Sequence, residues 1–163
     1  MVATGTQQTK LRAAEPADAE NIASLVNLAF RPERFFADED RTNPEKVRDL
    51  LRKGKFLLAE EAGALVACVY VERRGERGYF GLLAVDPPRQ RSGFGSLLIA
   101  AAEDDCRAVG CRVMDLTIVN LRTELPAYYR RHGYKESGTQ PFPENQRFKI
   151  PCHLVRMSKP LDP

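Results

Sequence analysis

The chain has 163 residues, 43% hydrophobic and 29% charged, as expected of a soluble globular domain with a substantial core. Twenty-five basic against twenty-two acidic side chains leave a net charge of +3, too small to suggest a nucleic-acid partner. No run approaches eighteen apolar residues and the opening MVATGTQQTK has no apolar stretch, so neither a membrane partner nor a secretory signal is expected, and a cytoplasmic location follows.

Residues 1 to 8 read as a flexible polar start, and residues 9 to 163 as one domain without repeats or a linker. Lys10 to Ala14 is a candidate first strand. Pro16 and Asp18 then open a helix whose Ile22, Leu25, Val26, Ala29 and Phe30 share one side. The charged segment from 31 to 43 carries Phe35 and Phe36, which serve either as plugs under a loop or as part of a binding wall. Asn43 and Pro44 cap a second helix with Val47, Leu50 and Leu51 facing inward, and Gly54 ends it. Two apolar runs, Phe56 to Ala59 and Leu65 to Glu72, predict strands joined at Gly63, and the loop RRGERG leads into a third, Tyr79 to Val85.

After that strand come a turn at Asp86, Pro87 and Pro88, a basic loop, and a helix with Leu97, Leu98, Ala101, Ala102 and Val109 on its apolar face and Gly110 as its stop. Val113 to Val119 predicts another strand, and Leu125 to His132 a helix that Gly133 ends. Extended character resumes at Tyr134, and a last strand falls within His153 to Leu161, with Pro160 at an edge or outside the ladder. The order is strand, two helices, three strands, helix, strand, helix, two strands, an α/β (α+β) layout around one mixed sheet.

The segment from Tyr79 to Gly110 has the layout of a phosphate site. A helix start presents N–H groups without intrahelical partners and partial positive charge, which an anionic pyrophosphate satisfies. Gly93 and Gly95 let backbone approach a ligand, and Arg89, Gln90 and Arg91 bring two charges and an amide to the same edge. Two general motifs do not fit: Gly95 is followed by Ser96 and Leu97 instead of Lys and Ser or Thr, and position 98 is Leu where a dinucleotide site needs Gly or Ala. What Gln90-Arg91-Ser92-Gly93-Phe94-Gly95 resembles is the acyl-CoA motif of the GCN5-related N-acetyltransferase (GNAT) superfamily, Gln/Arg-x-x-Gly-x-Gly/Ala. Leu83-Ala84-Val85-Asp86-Pro87 precedes it in register, and the resemblance runs over about residues 9 to 161.

The resemblance implies a mixed, mostly antiparallel sheet of six to seven strands with about four helices. It implies acetyl-CoA as cosubstrate, a primary amine of a small molecule or peptide as acceptor, and direct attack in a ternary complex. Carried onto this chain, donor contacts fall on Leu83, Ala84 and Val85 through their backbone, on Arg89 to Ser96 (including Ser92, Phe94 and Ser96), and on Asn120. Tyr129-Arg130-Arg131-His132-Gly133-Tyr134 matches the superfamily's Tyr-x-x-x-Gly-Phe/Tyr element, which makes Tyr129 the general-acid candidate. Tyr128 is expected at the core position before it. The distance from Asn120 to Tyr129 is two residues longer than the common pattern.

The base is less defined. Many relatives place a glutamate at the position of Gly81, and no acid lies between Tyr79 and Val85. Glu72 is the candidate, acting through water, against the reading of an exposed strand-end acid; Asp115 and His132 are weaker candidates. Acceptor choice is expected from residues 31 to 43 and 137 to 153, where Arg147 and Lys149 could suit an acceptor bearing a carboxylate, although a solvated loop is the default reading of those residues. Dimers are common among the proteins it resembles, so a homodimer is an expectation of the same kind. Cys68, Cys106, Cys111 and Cys152 lack metal-ligand spacing and His132 and His153 are the only imidazoles, so no metal is expected and free thiols are. The competing reading is a non-catalytic acyl-CoA-binding module of the same fold, motivated by Gly81.

Overall fold

Turn and cap residues fix where the elements begin and end. In the computed structural model, which describes residues 9–143 and 148–162, Asn43 Oδ1 accepts a hydrogen bond from Lys46 N at 2.9 Å, capping the helix that Pro44 opens. Gly54 closes that helix and Gly110 follows the cap of the third. The elements in order are β1 (Thr9–Ala13), α1 (Ala19–Ala29), α2 (Pro44–Lys53), β2 (Lys55–Glu61), β3 (Ala64–Arg74), β4 (Arg77–Val85), α3 (Phe94–Ala108), β5 (Val113–Val119), α4 (Leu125–Arg131), β6 (Lys135–Gln140) and β7 (Leu154–Pro160). Short 3-10 turns lie at Pro16–Asp18, Arg31–Phe35 and Pro87–Arg89.

The seven strands form one sheet in the order β1-β2-β3-β4-β5-β7-β6. Every pairing is antiparallel except β4 with β5. Alternation along β3 sends Cys68 and Tyr70 to the face covered by α1 and α2, and Val69 and Val71 to the face covered by α3 and α4. The sheet therefore carries two cores, and both extend up to the β4–β5 junction.

Several boundaries differ from expectation. The predicted RRGERG loop is a tight hairpin, because β3 continues to Arg74 and β4 starts at Arg77. On α3 the buried face is Phe94, Leu98, Ala102 and Cys106, spaced four apart, while Leu97 and Val109 are exposed. Pro160 is inside the ladder, opposite Val113 as the last residue of β7. It is tolerated there because β6 reaches only as far as Ser158 on the other side of β7. The expected flexible start, residues 1 to 8, and Arg147 lie outside the described residues.

Candidate active site

β4 and β5 are the one parallel pair, and their pairing covers only Arg77 to Tyr79 against Val113 to Asp115. Both strands continue, β4 to Val85 and β5 to Val119, without pairing to each other. The split opens a cleft of about 1420 Å³, walled on one side by Leu82, Leu83 and Val85 and on the other by Leu116 to Val119. Unpaired backbone at the end of a parallel pair supplies hydrogen-bonding groups that a ligand can satisfy.

β4 is bent at the same place. Its register with β3 slips, so that Ala84 faces Cys68 and Gly81 faces Tyr70 while Leu82 and Leu83 have no partner on β3. Leu82 takes a positive φ of 50°, a bulge geometry that a leucine adopts only where the surroundings hold it. The buried Cys68 thiol donates to Leu82 O at 3.8 Å, one of the contacts holding it. The bulge takes Leu83 out of the ladder, and Leu83 lines the cleft. Ala84 points instead into the core beneath α1.

Beyond β4 the loop from Arg89 to Ser96, Ser92 excepted, lines the same cleft. Arg91 and Gly93 both have positive φ, 68° and 89°, and Gly93 is the residue from which α3 starts. Successive backbone N–H groups around such a turn, followed by a helix start, form an anion cradle. Gln90 Nε2 donates to Val85 O at 3.3 Å, and Arg89 pairs with Glu61 of β2. Among the described residues Arg91 has no ion-pair partner.

Helix α4 closes the cleft from the α3 side. Tyr129 is 8% exposed, lines the cleft and packs against Phe80 and Tyr134 with ring centroids 6.1 and 6.3 Å away. Burial raises its phenol above the ordinary tyrosine range, so it holds its proton at neutral pH. Tyr128 lies half-buried beside it, and the missing side chain of Gly95 is what makes room for the Tyr128 hydroxyl. The glycine thus serves a protein neighbour as well as the loop. His132 Nδ1–H donates to Tyr128 O at 3.0 Å, which leaves Nε2 facing Ser96 Oγ at 3.0 Å and ties α4 to the start of α3.

The two segments expected to choose an acceptor meet at the other end of the cleft. Ala37 bridges Phe148, Lys149 N donates to Phe36 O at 2.8 Å, and Phe142 stacks on Phe148 at 4.2 Å. Phe36 is fully buried and acts as the plug, while Phe35 is 54% exposed. Lys149 is engaged with Arg34 O at 3.2 Å and Asp38 at 3.8 Å. Glu33, in the 3-10 turn after α1, is 7% exposed and accepts from Arg122 Nη1 at 2.9 Å across 89 residues of sequence. Burial raises its carboxyl above the ordinary range in spite of Arg41 and Arg122.

The family model that matches residues 20–134 is the acetyltransferase (GNAT) family. The chain belongs to the acetyltransferase (GNAT) family. It is 28% identical over 144 residues to an amino-acid acetyltransferase of Azotobacter vinelandii, and 26% over 131 residues to those of Pseudomonas aeruginosa strains. These alignments cover 86% and 78% of the chain, but it spans only 31% and 28% of the length of those relatives. Among solved structures, Ard1 from Thermoplasma volcanium superposes with a TM-score of 0.78 at 19% identity, over 95% of this chain and 99% of that one. The ribosomal-protein-S18-alanine N-acetyltransferase of Escherichia coli gives 0.74 at 15%, over 96% of each chain. yncA from Salmonella typhimurium, solved with its cofactor acetyl-CoA, gives 0.69 at 20%, over 94% of each.

The GNAT family uses acetyl-CoA. Three residues expected at the site do not line the cleft with their side chains, and the Ala84 side chain is in the core, as a backbone contact allows. Ser92 faces solvent. Asn120 Oδ1 accepts from His153 N at 2.9 Å, holding the end of β5 to the start of β7. Glu72 pairs with Arg74 at 3.0 Å.

The weaker base candidates are also engaged elsewhere: His132 as described, and Asp115 with Arg77 at 2.7 Å and with Ser158. Burial works to raise the Asp115 carboxyl, but those bonds outweigh it and hold the group below the usual carboxylate range. Gly81, the position aligned with the expected strand glutamate, has Tyr79 Oη 2.6 Å from the position a Cβ would take. In this arrangement the Tyr79 hydroxyl lies over the face that residue 81 presents.

Proposed function

We propose that the protein transfers an acetyl group from acetyl-CoA to the primary amine of a small acceptor bearing a carboxylate, an amino acid or a peptide end, by direct attack in a ternary complex. The observation that carries this reading is that one cleft joins the anion cradle at α3 to the pocket around Glu33 and Arg41, with Tyr129 between the two walls. A thioester held along the bulge has its diphosphate at Gly93 and its acyl group toward β5, where an amine arriving from the Phe36–Phe148 side meets it.

Tyr129 is the general acid of this reading. Burial that lifts its phenol lifts a thiolate beside it as well, so the leaving sulfur in a dry cleft is a strong enough base to take its hydrogen bond and then its proton. The amino-acid class draws support from the names of the curated relatives and from Arg41. That side chain lines the acceptor end and has no ion-pair partner among the described residues.

The test compares free amino acids with their carboxamides as acceptors under acetyl-CoA, product identified by mass. The expected result is acetylation of the acids with a loss of at least tenfold in kcat/KM for the amides; equal rates would remove the carboxylate from the reading. The competing reading, a non-catalytic acyl-CoA-binding module, draws its support from Gly81, and it predicts donor binding with no transfer to either set.

A further inference from the structure

We propose that Glu33 is the general base of the transfer, taking the ammonium proton from the acceptor amine. The inference rests on the acetyltransferase reading above and names a residue that the family's strand position does not supply.

Position is the first argument. Among the described residues only two carboxylates are buried, Glu33 and Glu103. Glu103 is bound to Tyr134 and Lys159 away from the cleft. The other carboxylates on the cleft wall are exposed, as Glu39, Asp40 and Asp49 are, or paired as Asp115 is with Arg77 and Ser158. The family's strand position is Gly81 here, which has no side chain to accept a proton.

Chemistry is the second. Arg122 donates to Glu33 Oε2, and no described residue donates to Oε1, so one oxygen is oriented by its partner while the other is left to accept from a substrate. The charged and titratable groups that face Glu33 come from several elements. They are Arg41 before α2, Arg122 and Glu124 after β5, Tyr129 on α4, and Cys152 before β7. Burial, with Glu124 beside it, outweighs Arg41 and Arg122 and leaves the carboxyl raised, which makes it a better proton acceptor.

The step balances as follows in atoms and charge. Glu33 Oε1 takes one proton from the ammonium, and the freed lone pair forms the C–N bond to the thioester carbonyl. The C–S bond breaks with its electron pair going to sulfur. Tyr129 gives its proton to that sulfur and recovers one from the acylated nitrogen. The products are an N-acetylated amine and a thiol, and protonated Glu33 returns its proton to solvent.

Glu33→Gln keeps an oxygen for Arg122 and removes the base. Measured from pH 6 to pH 10 against an amino-acid acceptor, the variant should lose roughly 10²–10⁴-fold in kcat/KM near neutral pH. Its deficit should shrink about tenfold per pH unit, because the neutral amine then arrives from solution already deprotonated. Its acetyl-CoA affinity and Tm should match the wild type. Glu33→Asp, which keeps a carboxylate, should lose less, and its deficit should not shrink with pH as that of Glu33→Gln does.

A Glu33→Gln enzyme within threefold of wild type across the range overturns the assignment, as does a deficit that stays constant with pH. Glu33→Asp behaving like Glu33→Gln overturns it too, and this comparison still decides the matter if the amide variant folds poorly. Wild-type protein that acetylates no amine overturns the transferase reading itself, an outcome separate from active wild type beside an unimpaired variant.

Discussion

Tyr134 Oη donates to Glu103 Oε2 at 2.7 Å, and both groups are buried. Lys159 of β7 adds bonds of 3.0 and 3.1 Å to the same carboxylate. One acid on α3 therefore holds Tyr134, three residues beyond α4, and the last strand, which fixes α3 relative to Tyr129. Removing the hydroxyl by Tyr134→Phe deletes a buried bond to a charged acceptor, worth about 2 kcal/mol. Thermal denaturation should show Tm lowered by roughly 4–8 °C with transfer retained at temperatures where the variant is folded. An unchanged Tm would mean that Lys159 alone satisfies Glu103.

Gly95 and Tyr128 form a coupled pair. A methyl on residue 95 would run into the Tyr128 hydroxyl, whereas the ring carbon Cζ lies at 3.6 Å, an ordinary contact distance. Gly95→Ala should weaken acetyl-CoA binding by displacing α4 from the loop, and the same change in a Tyr128→Phe background should be close to neutral. Isothermal titration of the four proteins tests the coupling; additive effects of the two substitutions would contradict it.

Much of the fold is readable from local chemistry. Asn43 with Pro44, Gly54, Gly110 and Gly133 mark helix ends by the groups they satisfy or the angles they allow, and Gln90 to Gly95 marks the turn into α3. What escapes is set by partners distant in sequence. Glu33 looks like a solvated charge inside RPERFFADEDR, and only Arg122 and the cleft walls make it buried. Asn120 is drawn away from the cleft by His153, and Glu72 is held by Arg74 on its own strand. Leu82 stands in an unbroken apolar run, where nothing local announces a positive φ.

Alkaline pH should destabilise the protein well before the surface arginines or lysines matter. Burial pushes the Cys68 and Cys106 thiols up to about 12, and it pushes the Tyr70 phenol, whose hydroxyl has no partner among the described residues, up to about 12. In the unfolded chain thiols release protons near ~8.5 and phenols near ~10, so between those values and about 12 the folded state binds more protons. Stability then falls as pH rises from about 8.5. Urea midpoints measured at increasing pH should decline, and the decline should be shallower in Cys68→Ala. A flat profile from neutral pH to about pH 10.5 would contradict this reading of the core.

Tyr70→Phe removes the one buried side-chain polar atom without a partner among the described residues. The change should be neutral or stabilising by up to about 1 kcal/mol in urea unfolding, since it deletes a desolvation cost and no bond. A clear loss of stability would reveal a partner for the hydroxyl.

Tyr129→Phe separates binding from chemistry. The ring packing with Phe80 and Tyr134 survives, so acetyl-CoA affinity should stay within about twofold of wild type while kcat falls roughly 10²-fold. Equal losses in affinity and turnover would reduce Tyr129 to a packing residue.

The central claim is that this cleft passes an acetyl group to an amine, and product mass reports on it most directly. Incubation with acetyl-CoA carrying a labelled acetyl group, across amino acids, peptide N-termini, polyamines and aminoglycosides, should yield labelled N-acetyl product with the amino acids foremost. Mass detection avoids the four cysteines that would confuse a thiol dye. Tight donor binding with no labelled product from any amine would contradict the claim.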